Sequence, residues 1–235
     1  MAELRTFHLP GAWGLVTLSP FCLKLDAFLR MTGIEHEAIT ASTPFGGPKK
    51  KAPWIEYKGK KMGDSTLIID FLKQEFGKDP DAHLDARQRA TIVTMQRLIE
   101  ENLYWVMVYD RWARNENWPR MKSTVLRDIP APVRSLLAPY ARYAVKKQLA
   151  GHGMGLHSTH EIESIARKDI DALAALLGEG PWNFGEQPTM ADATVYSLLA
   201  NILFVEFEST MKDMIRIHPT LTAMLERFRA RFYAE

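Results

Sequence analysis

The sequence lacks the features that mark disulfide-stabilised, membrane-spanning and nucleic-acid-binding proteins. Cys22 is the single cysteine among 235 residues, so the chain cannot form an intramolecular disulfide. The apolar stretch 193–205 contains Thr, Ser and Asn and is shorter than the roughly 20 residues that a membrane-spanning helix needs. The 30 Lys and Arg residues nearly balance the 28 Asp and Glu residues, giving a net charge of +2. This overall balance predicts neither a nucleic-acid-binding surface nor a polybasic membrane-binding surface.

The composition that remains is typical of a folded protein. Hydrophobic residues make up 46% and charged residues 25%, with only 14 Gly and 13 Pro, which excludes collagen-like and disordered chains. The first residues, MAELRTFHLPGAWGLV, lack the basic region and apolar run of a secretory signal. We therefore expect a cytoplasmic protein.

The first 77 residues alternate short strand patterns with helical patterns. Strand-like runs at 4–8 and 34–40 flank an amphipathic stretch after Pro20, and strands at 53–57 and 60–62 precede a helix at 65–76. The order is βαβ followed by ββα. A polar segment at 78–85, which follows Gly77 and contains Pro80, then predicts a linker.

Beyond the linker, residues 86–235 are predicted to form an all-helical domain. Helical periodicity covers 86–115, 133–150, 159–177, 190–207 and 219–232. Ser158 and Thr189 each precede an acidic residue by three positions, which predicts helix N-termini. Four prolines, Pro119, Pro130, Pro132 and Pro139, are expected to interrupt or restart helices in the middle of this domain.

The loop after the first strand carries the most informative residues. In Ser19-Pro-Phe-Cys22, Ser19 is placed at the N-cap of the first helix, beside free backbone N–H groups and the positive end of the helix dipole. These groups favour a nearby anion such as a thiolate. The alternative interpretation is that Ser19 only caps the helix and that Pro20 only occupies its favoured first position.

Two later motifs give this loop a specific context. Lys51-Ala52-Pro53 opens the third strand, and Asp64-Ser65 begins the helix after the hairpin. With Ser19-Pro-Phe-Cys22 at the first helix, this order resembles the thioredoxin-like domain of glutathione transferases, followed by their all-helical domain. The resemblance implies a glutathione-binding domain at 1–77, a linker at 78–85 and a substrate domain at 86–235.

The same resemblance assigns roles in glutathione binding. Pro53 would be cis, which would turn the backbone N–H and C=O of Ala52 toward the peptide. Asp64 would accept from the ammonium group of the γ-glutamyl end, and Ser65 would donate to its carboxylate. Lys51 would pair with the glycyl carboxylate. On their own, Asp64 and Ser65 would be better explained as a helix cap, and Lys51 equally well as an exposed loop residue.

Ser19 occupies the position of the first cysteine in glutaredoxins and omega-class transferases, which the Ser-Pro-Phe-Cys motif resembles. A dithiol cycle needs two thiols, so we expect Ser19 to stabilise the glutathione thiolate as the catalytic residue instead. Cys22 is a possible redox residue, although a small buried structural cysteine is the commoner interpretation.

The second domain resembles the metaxin and failed-axon-connections branch of the superfamily more narrowly. The narrower markers of this branch are Leu103-Tyr-Trp105 and Gly151-His-Gly153, whereas Pro188-Thr-Met-Ala-Asp192 resembles an element shared with transferases at large. The branch implies either a glutathione-dependent enzyme or a non-catalytic binding or scaffold protein. Soluble transferases are commonly dimers, which makes a homodimer an expectation.

Tyr104 and Arg111 are the predicted substrate contacts. They belong to an aromatic helix in which Trp105, Tyr109 and Trp112 share one face, and this face would pack either in the core or along a cleft for an apolar electrophile.

His152, His157 and His160 lack the further ligands of a metal site, so no metal is predicted. The resemblance therefore implies an enzyme that conjugates the glutathione thiolate to a small hydrophobic electrophile, with the scaffold protein as the alternative.

Overall fold

A computed structural model of the protein describes residues 3–178 and 180–234. Its first part contains a four-stranded sheet with the order β2-β1-β3-β4. The strands are β1 (Leu4–His8), β2 (Glu37–Thr40), β3 (Trp54–Tyr57) and β4 (Lys60–Gly63). Strand β2 runs parallel to β1, whereas β3 runs antiparallel to both β1 and β4. This is the sheet of a thioredoxin-like βαβ-ββα domain, so the predicted fold of the first part is confirmed.

Two helices complete this part. Helix α1 (Pro20–Thr32) follows β1 and ends at Gly33, whose φ of 60° is readily adopted by glycine. Helix α2 (Ser65–Phe76) follows β4 and ends in the same way at Gly77. Strand β2 begins at Glu37 and is therefore shorter than the predicted 34–40; Ile34 precedes the strand and is buried in the core.

The second part is helical, as the fold prediction requires. Helix α3 (Ala86–Arg97) continues through a π-helical segment (Leu98–Leu103) into α4 (Tyr104–Val108) and a second π-helical segment (Tyr109–Ala113). The remaining helices are α5 (Trp118–Val125), α6 (Ala131–His152), α7 (Thr159–Leu176), α8 (Met190–Leu203), α9 (Thr210–Arg216) and α10 (Pro219–Phe232). The short helices α5 and α9 were absent from the sequence prediction, and α8 stops before the predicted residue 207.

The prediction that each of the four prolines interrupts or restarts a helix is wrong for Pro139. It lies inside the continuous helix α6, whereas Pro119, Pro130 and Pro132 lie at or before helix starts. Pro139 is exposed, so water can solvate the carbonyl group that its missing N–H leaves without an intrahelical partner.

The core joins the two parts through a helix that is buried on all sides. Every residue of α8 from Met190 to Ile202 is buried, and α8 packs against α1. Asp192 in its first turn accepts from the backbone N–H groups of Thr189 at 2.8 Å and Asn183 at 2.9 Å. This cap fixes the N-terminus of the central helix without leaving the buried carboxyl unpaired.

Candidate functional site

Ser19 lies at the junction between the loop after β1 and helix α1. It is the N-cap, and its Oγ accepts from the backbone N–H of Cys22 at 3.4 Å. The Ser19 backbone N–H donates to Thr17 Oγ1 at 3.2 Å, which holds the loop in place. Because Oγ acts here as an acceptor, the hydroxyl proton remains able to donate to an anion placed at the helix N-terminus.

Cys22 points into the interior, one turn along α1. Its relative exposure is 1%. Burial raises the pKa of its thiol, and hydrogen bonds with Ser19, the Leu9 backbone and Thr17 offset this effect only in part. A buried thiol with a raised pKa is a poor nucleophile. The geometry therefore gives little support to the redox role considered for Cys22.

The Ala52–Pro53 bond at the start of β3 is cis. Pro53 is buried, Ala52 is half-buried, and Lys51 is exposed before them. The opening of β3 lies beside the end of β4, since Trp54 pairs with Gly63. Gly63 directly precedes Asp64, so the sheet brings Ala52 and Pro53 close to the start of α2.

The start of α2 is a strained, well-capped turn. Asp64 has a φ of 92°, which is unusual for a residue with a side chain. Its carboxylate accepts from the backbone N–H groups of Thr66 at 3.1 Å and Leu67 at 3.3 Å. Ser65 is the first helical residue and is buried at 4% exposure. Lys49 Nζ, 3.7 Å from Asp64 Oδ2, is the lysine that approaches this turn.

A buried ionic network ties the two helix starts together and was not predicted from the sequence. Lys24 Nζ on α1 donates to Thr66 Oγ1 on α2 at 2.9 Å and to Glu100 Oε1 in the first π-helical segment at 2.5 Å. Gln96 Nε2 donates to the same two residues, at 2.7 Å to Thr66 and 2.9 Å to Glu100. The N-terminal turns of α1 and α2 are therefore held near each other and against the second part of the chain.

Tyr104 lies opposite the N-terminus of α1. Its ring meets Phe21 edge-on, with centroids 4.8 Å apart. Pro20 and Phe21 line a small cleft together with Ile99, Glu100 and Tyr104. Burial raises the pKa of Tyr104, while the charge of Arg111 opposes this rise. The predicted contact residue Tyr104 thus lies against Pro20 and Phe21, the first two residues of α1, which directly follow Ser19.

Arg111 is placed differently from the predicted substrate contact. It is only 3% exposed, and its guanidinium donates to the carbonyl of Leu18 at 2.9 Å, to Asn201 Oδ1 at 3.0 Å and to the Asn201 carbonyl. Burial lowers its pKa to about 10, against the opposing charges of Asp110 and Tyr104. Arg111 supports the backbone just before Ser19, which leaves it little freedom to bind a substrate directly.

The aromatic face of the same helix packs against neighbouring helices. Trp105 stacks on His152 with centroids 4.6 Å apart, Tyr109 Oη lies 2.8 Å from Thr159 Oγ1, and Trp112 lies against Trp118 with ring centroids 5.5 Å apart. These contacts favour the core interpretation for Trp105, Tyr109 and Trp112. Tyr104 is the aromatic residue of this helix that reaches the cleft.

The described side chains and helices also bear on metal binding and on membrane crossing. Within residues 3–178 and 180–234, no group of three His, Cys, Asp or Glu side chains is arranged to hold a metal ion. Over the same described ranges, none of the helices is both long enough and apolar enough to cross a bilayer.

Comparison with known families matches both parts of the chain. The family model of the glutathione S-transferase N-terminal domain matches residues 20–117, and that of the glutathione S-transferase C-terminal domain matches residues 166–228. In the solved glutathione S-transferase of Methylobacterium radiotolerans, bound to glutathione sulfonate, the fold is similar with a TM-score of 0.64. That match has 20% identity and covers 98% of this chain and 92% of the other.

Curated relatives include an enzyme and proteins of other kinds. Isoprene-epoxide–glutathione S-transferase of Rhodococcus sp. (strain AD45) is 32% identical over 228 residues, covering 94% of this chain and 95% of that protein. Failed axon connections of Drosophila melanogaster is 28% identical over 200 residues, covering 81% of this chain and 48% of that protein. Metaxin-2 of Mus musculus is 23% identical over 233 residues, covering 97% and 88% respectively.

Proposed function

Because the chain belongs to the glutathione S-transferase superfamily, with relatives that include Failed axon connections and the metaxins, we propose that it binds reduced glutathione and conjugates it to a small hydrophobic electrophile. Residues 1–77 would bind glutathione, 78–85 would link the domains, and 86–235 would complete the electrophile site. The observation that carries this proposal is that Lys24, in the second turn of α1, donates to Thr66 in the first turn of α2, while Tyr104 packs against Phe21 beside Ser19.

The two helix starts suit the two ends of the tripeptide. The N-terminus of α2, with the Ser65 hydroxyl and backbone N–H groups, would bind the γ-glutamyl carboxylate, while Asp64 would accept from the ammonium group. Ala52 and Pro53 would lie along the peptide backbone. Lys51 remains the proposed partner of the glycyl carboxylate. Lys49 lies instead beside Asp64, at the proposed site of the γ-glutamyl end of glutathione.

Ser19 would perform the chemical step by binding the sulfur. Its hydroxyl donates to the thiolate at the positive end of α1, which lowers the pKa of the bound thiol. The thiolate then attacks an electrophilic carbon beside Tyr104. With an epoxide, the thiol first loses its proton to water; a carbon–sulfur bond then forms, a ring carbon–oxygen bond breaks, and the resulting alkoxide takes up a proton from water. An epoxide is the first electrophile to test, since one relative is an isoprene-epoxide transferase.

A second function is favoured by the metaxin and Failed axon connections relatives. In this alternative the chain keeps the fold as a cytoplasmic binding or scaffold protein without transferring glutathione. The two functions differ in one property: the enzyme must bind glutathione, whereas the scaffold has no such requirement.

The experiment that separates them is a calorimetric titration of reduced glutathione into the full chain, with Ser65→Ala as the matched variant. Saturable binding that the variant loses supports the enzyme, and turnover with an epoxide then follows as the assay. An absence of binding at millimolar glutathione, by calorimetry at two temperatures, refutes the proposed site and favours the scaffold.

A homodimer is part of the proposal. Leu67 on α2 and Val93 on α3 leave apolar side chains 51% and 54% exposed, and exposed apolar groups of this kind are readily covered by a second copy. Sedimentation velocity of the full chain at micromolar concentration would give a dimer, and Val93→Lys would shift it toward the monomer.

A further inference from the structure

Helix α6 exposes a row of large apolar side chains. Leu136 is 79% exposed, Tyr140 71%, Tyr143 65%, Val133 48% and Leu137 42%. Their offsets of 0, 3, 4, 7 and 10 residues place them along one side of the helix. We call these five residues the α6 face. A contiguous apolar surface of this kind is unusual on a soluble protein and marks a contact surface.

The opposite side of α6 is firmly attached to the protein, so the α6 face cannot simply turn inward. Ala138 and Leu149 are buried at 3% and 1% exposure. Arg142 donates to the carbonyls of Trp112 and Ala113, both at 2.9 Å. The helix therefore presents its apolar side outward while it is held in place by its other side.

The charge on α6 indicates what covers this face. The helix contains Arg134, Arg142, Lys146 and Lys147 and no Asp or Glu, although the whole chain is close to neutral. Arg134 and Arg142 are engaged by nearby carbonyls, whereas Lys146 and Lys147 are exposed. Lys147 follows Tyr140 by two helical turns and so continues the same side.

An apolar row with exposed cations at one end complements a surface that is apolar beneath and anionic at its boundary. Leu and Tyr side chains enter the headgroup region of a bilayer, and lysines reach to lipid phosphates. If a second copy of α6 packed parallel to the first, it would instead bring Lys146 and Lys147 toward like charges. Neither copy supplies a carboxylate from this helix to compensate them. We infer that the α6 face binds the surface of an anionic lipid bilayer. The inference is independent of the glutathione site.

The test is co-sedimentation of the full chain with vesicles. Neutral phosphatidylcholine vesicles are compared with vesicles containing 30% phosphatidylglycerol, at low and at high salt. We expect binding to the anionic vesicles that weakens with salt. Leu136→Ser/Tyr140→Ser and Lys146→Glu/Lys147→Glu should each lower the bound fraction at least tenfold, and circular dichroism should show an unchanged fold.

Matched controls change equally exposed groups elsewhere. Ile217→Ser removes an apolar side chain that is 59% exposed, and Lys168→Glu reverses an exposed charge on α7; both should bind like the unmodified chain. Failure of the unmodified chain to bind anionic vesicles, equal binding to neutral vesicles, or equal binding by the α6 variants would overturn the inference. Conversion of a dimer to a monomer by Leu136→Ser/Tyr140→Ser, with no vesicle binding, would show that a second copy covers the face.

Discussion

Lys24 Nζ on α1 lies 2.5 Å from Glu100 Oε1, in a region where the lysine side chain is 2% exposed and the glutamate 11%. The pair joins the first part of the chain to the second at the point where α2 begins, because Lys24 also donates to Thr66. A buried charge is costly without its partner. The pair thus fixes the position of the proposed glutathione-binding turn as well as the contact between the two parts.

Lys24→Met should therefore lower the free energy of unfolding by about 3–5 kcal/mol, the usual cost of leaving one charge of a buried pair alone. Lys24→Met/Glu100→Gln should recover part of that loss, since the uncompensated charge is gone. Urea unfolding of each variant measures the effect. The matched control is Arg97→Met in the Arg97–Glu101 pair, whose side chains are 62% and 65% exposed, where the change should be at most about 1 kcal/mol. Equal losses for the buried and exposed pairs would contradict the role of Lys24.

The Lys24 network also shows which contacts a sequence pattern does not predict. Caps depend on neighbouring residues, so they could be predicted: Ser158 and Glu161 exchange hydrogen bonds as their spacing suggests, and Thr189 donates to Asp192. Lys24 and Glu100 are 76 residues apart. A lysine within an amphipathic helix is normally exposed, and no local pattern indicates that this one is buried.

Arg111 illustrates the same limit within the candidate site. Its place on an aromatic helix suggested a substrate contact, yet its guanidinium is occupied by Leu18 and Asn201, and Asn201 lies 90 residues away. The resemblance to glutathione transferases located Ser19, Ser65 and Tyr104 on the correct elements. Which donors remain available for a ligand depends on tertiary contacts that the sequence does not display.

Ser19→Ala should lower kcat while leaving the affinity for glutathione largely unchanged. A loss of two pKa units in thiolate stabilisation corresponds to about 2.7 kcal/mol, which is roughly a hundredfold in thiolate population. The alanine variant also loses a helix cap, so Ser19→Gly is the matched variant, since glycine is an acceptable N-cap without a hydroxyl. Both variants should raise the pKa of the glutathione thiol in the complex, which is measured from thiolate absorbance as a function of pH. Ser19→Thr should bring this pKa part of the way back down. Full turnover of the Ser19→Gly variant would show that Ser19 only caps the helix and does not act on the thiol.

Ser65→Ala should weaken glutathione binding while affecting kcat less. A hydrogen bond to a charged carboxylate contributes about 1.5–3 kcal/mol, which predicts a rise in Kd between about tenfold and a hundredfold. Calorimetry measures it directly. Ser123→Ala removes an exposed helical hydroxyl and should leave Kd unchanged. If the two variants bind glutathione equally well, the γ-glutamyl end does not sit at the start of α2.

Cys22 should react slowly with a thiol reagent in the folded protein, because its side chain is 1% exposed and burial raises the pKa of its thiol. Since it is the single cysteine, labelling by a disulfide-exchange reagent reports on this site alone. One equivalent should react promptly in urea and at least a hundredfold more slowly in native buffer. Cys22→Ala should keep most of the transferase turnover. Rapid native labelling together with an inactive Cys22→Ala variant would instead support the redox role.

Asp79 should make folding stability depend on acidic pH. Burial acts to raise the pKa of its carboxyl, but the hydrogen bonds from Lys73 and the Asp81 backbone, with the charges of Lys73 and Arg89, outweigh it and hold the pKa below its ordinary value. A carboxyl with a lowered pKa in the folded state stabilises the protein above its unfolded pKa, about 3.9, and loses that contribution as pH falls through the folded value. The stability difference between the unmodified chain and Asp79→Asn should therefore be full above about pH 5 and shrink steadily below pH 4. Urea unfolding from pH 3 to 7 measures this difference, with Asp128→Asn, at a side chain that is 82% exposed, as the control. A difference for Asp79→Asn that stays constant across the range would mean that its ion pair with Lys73 contributes nothing to folding.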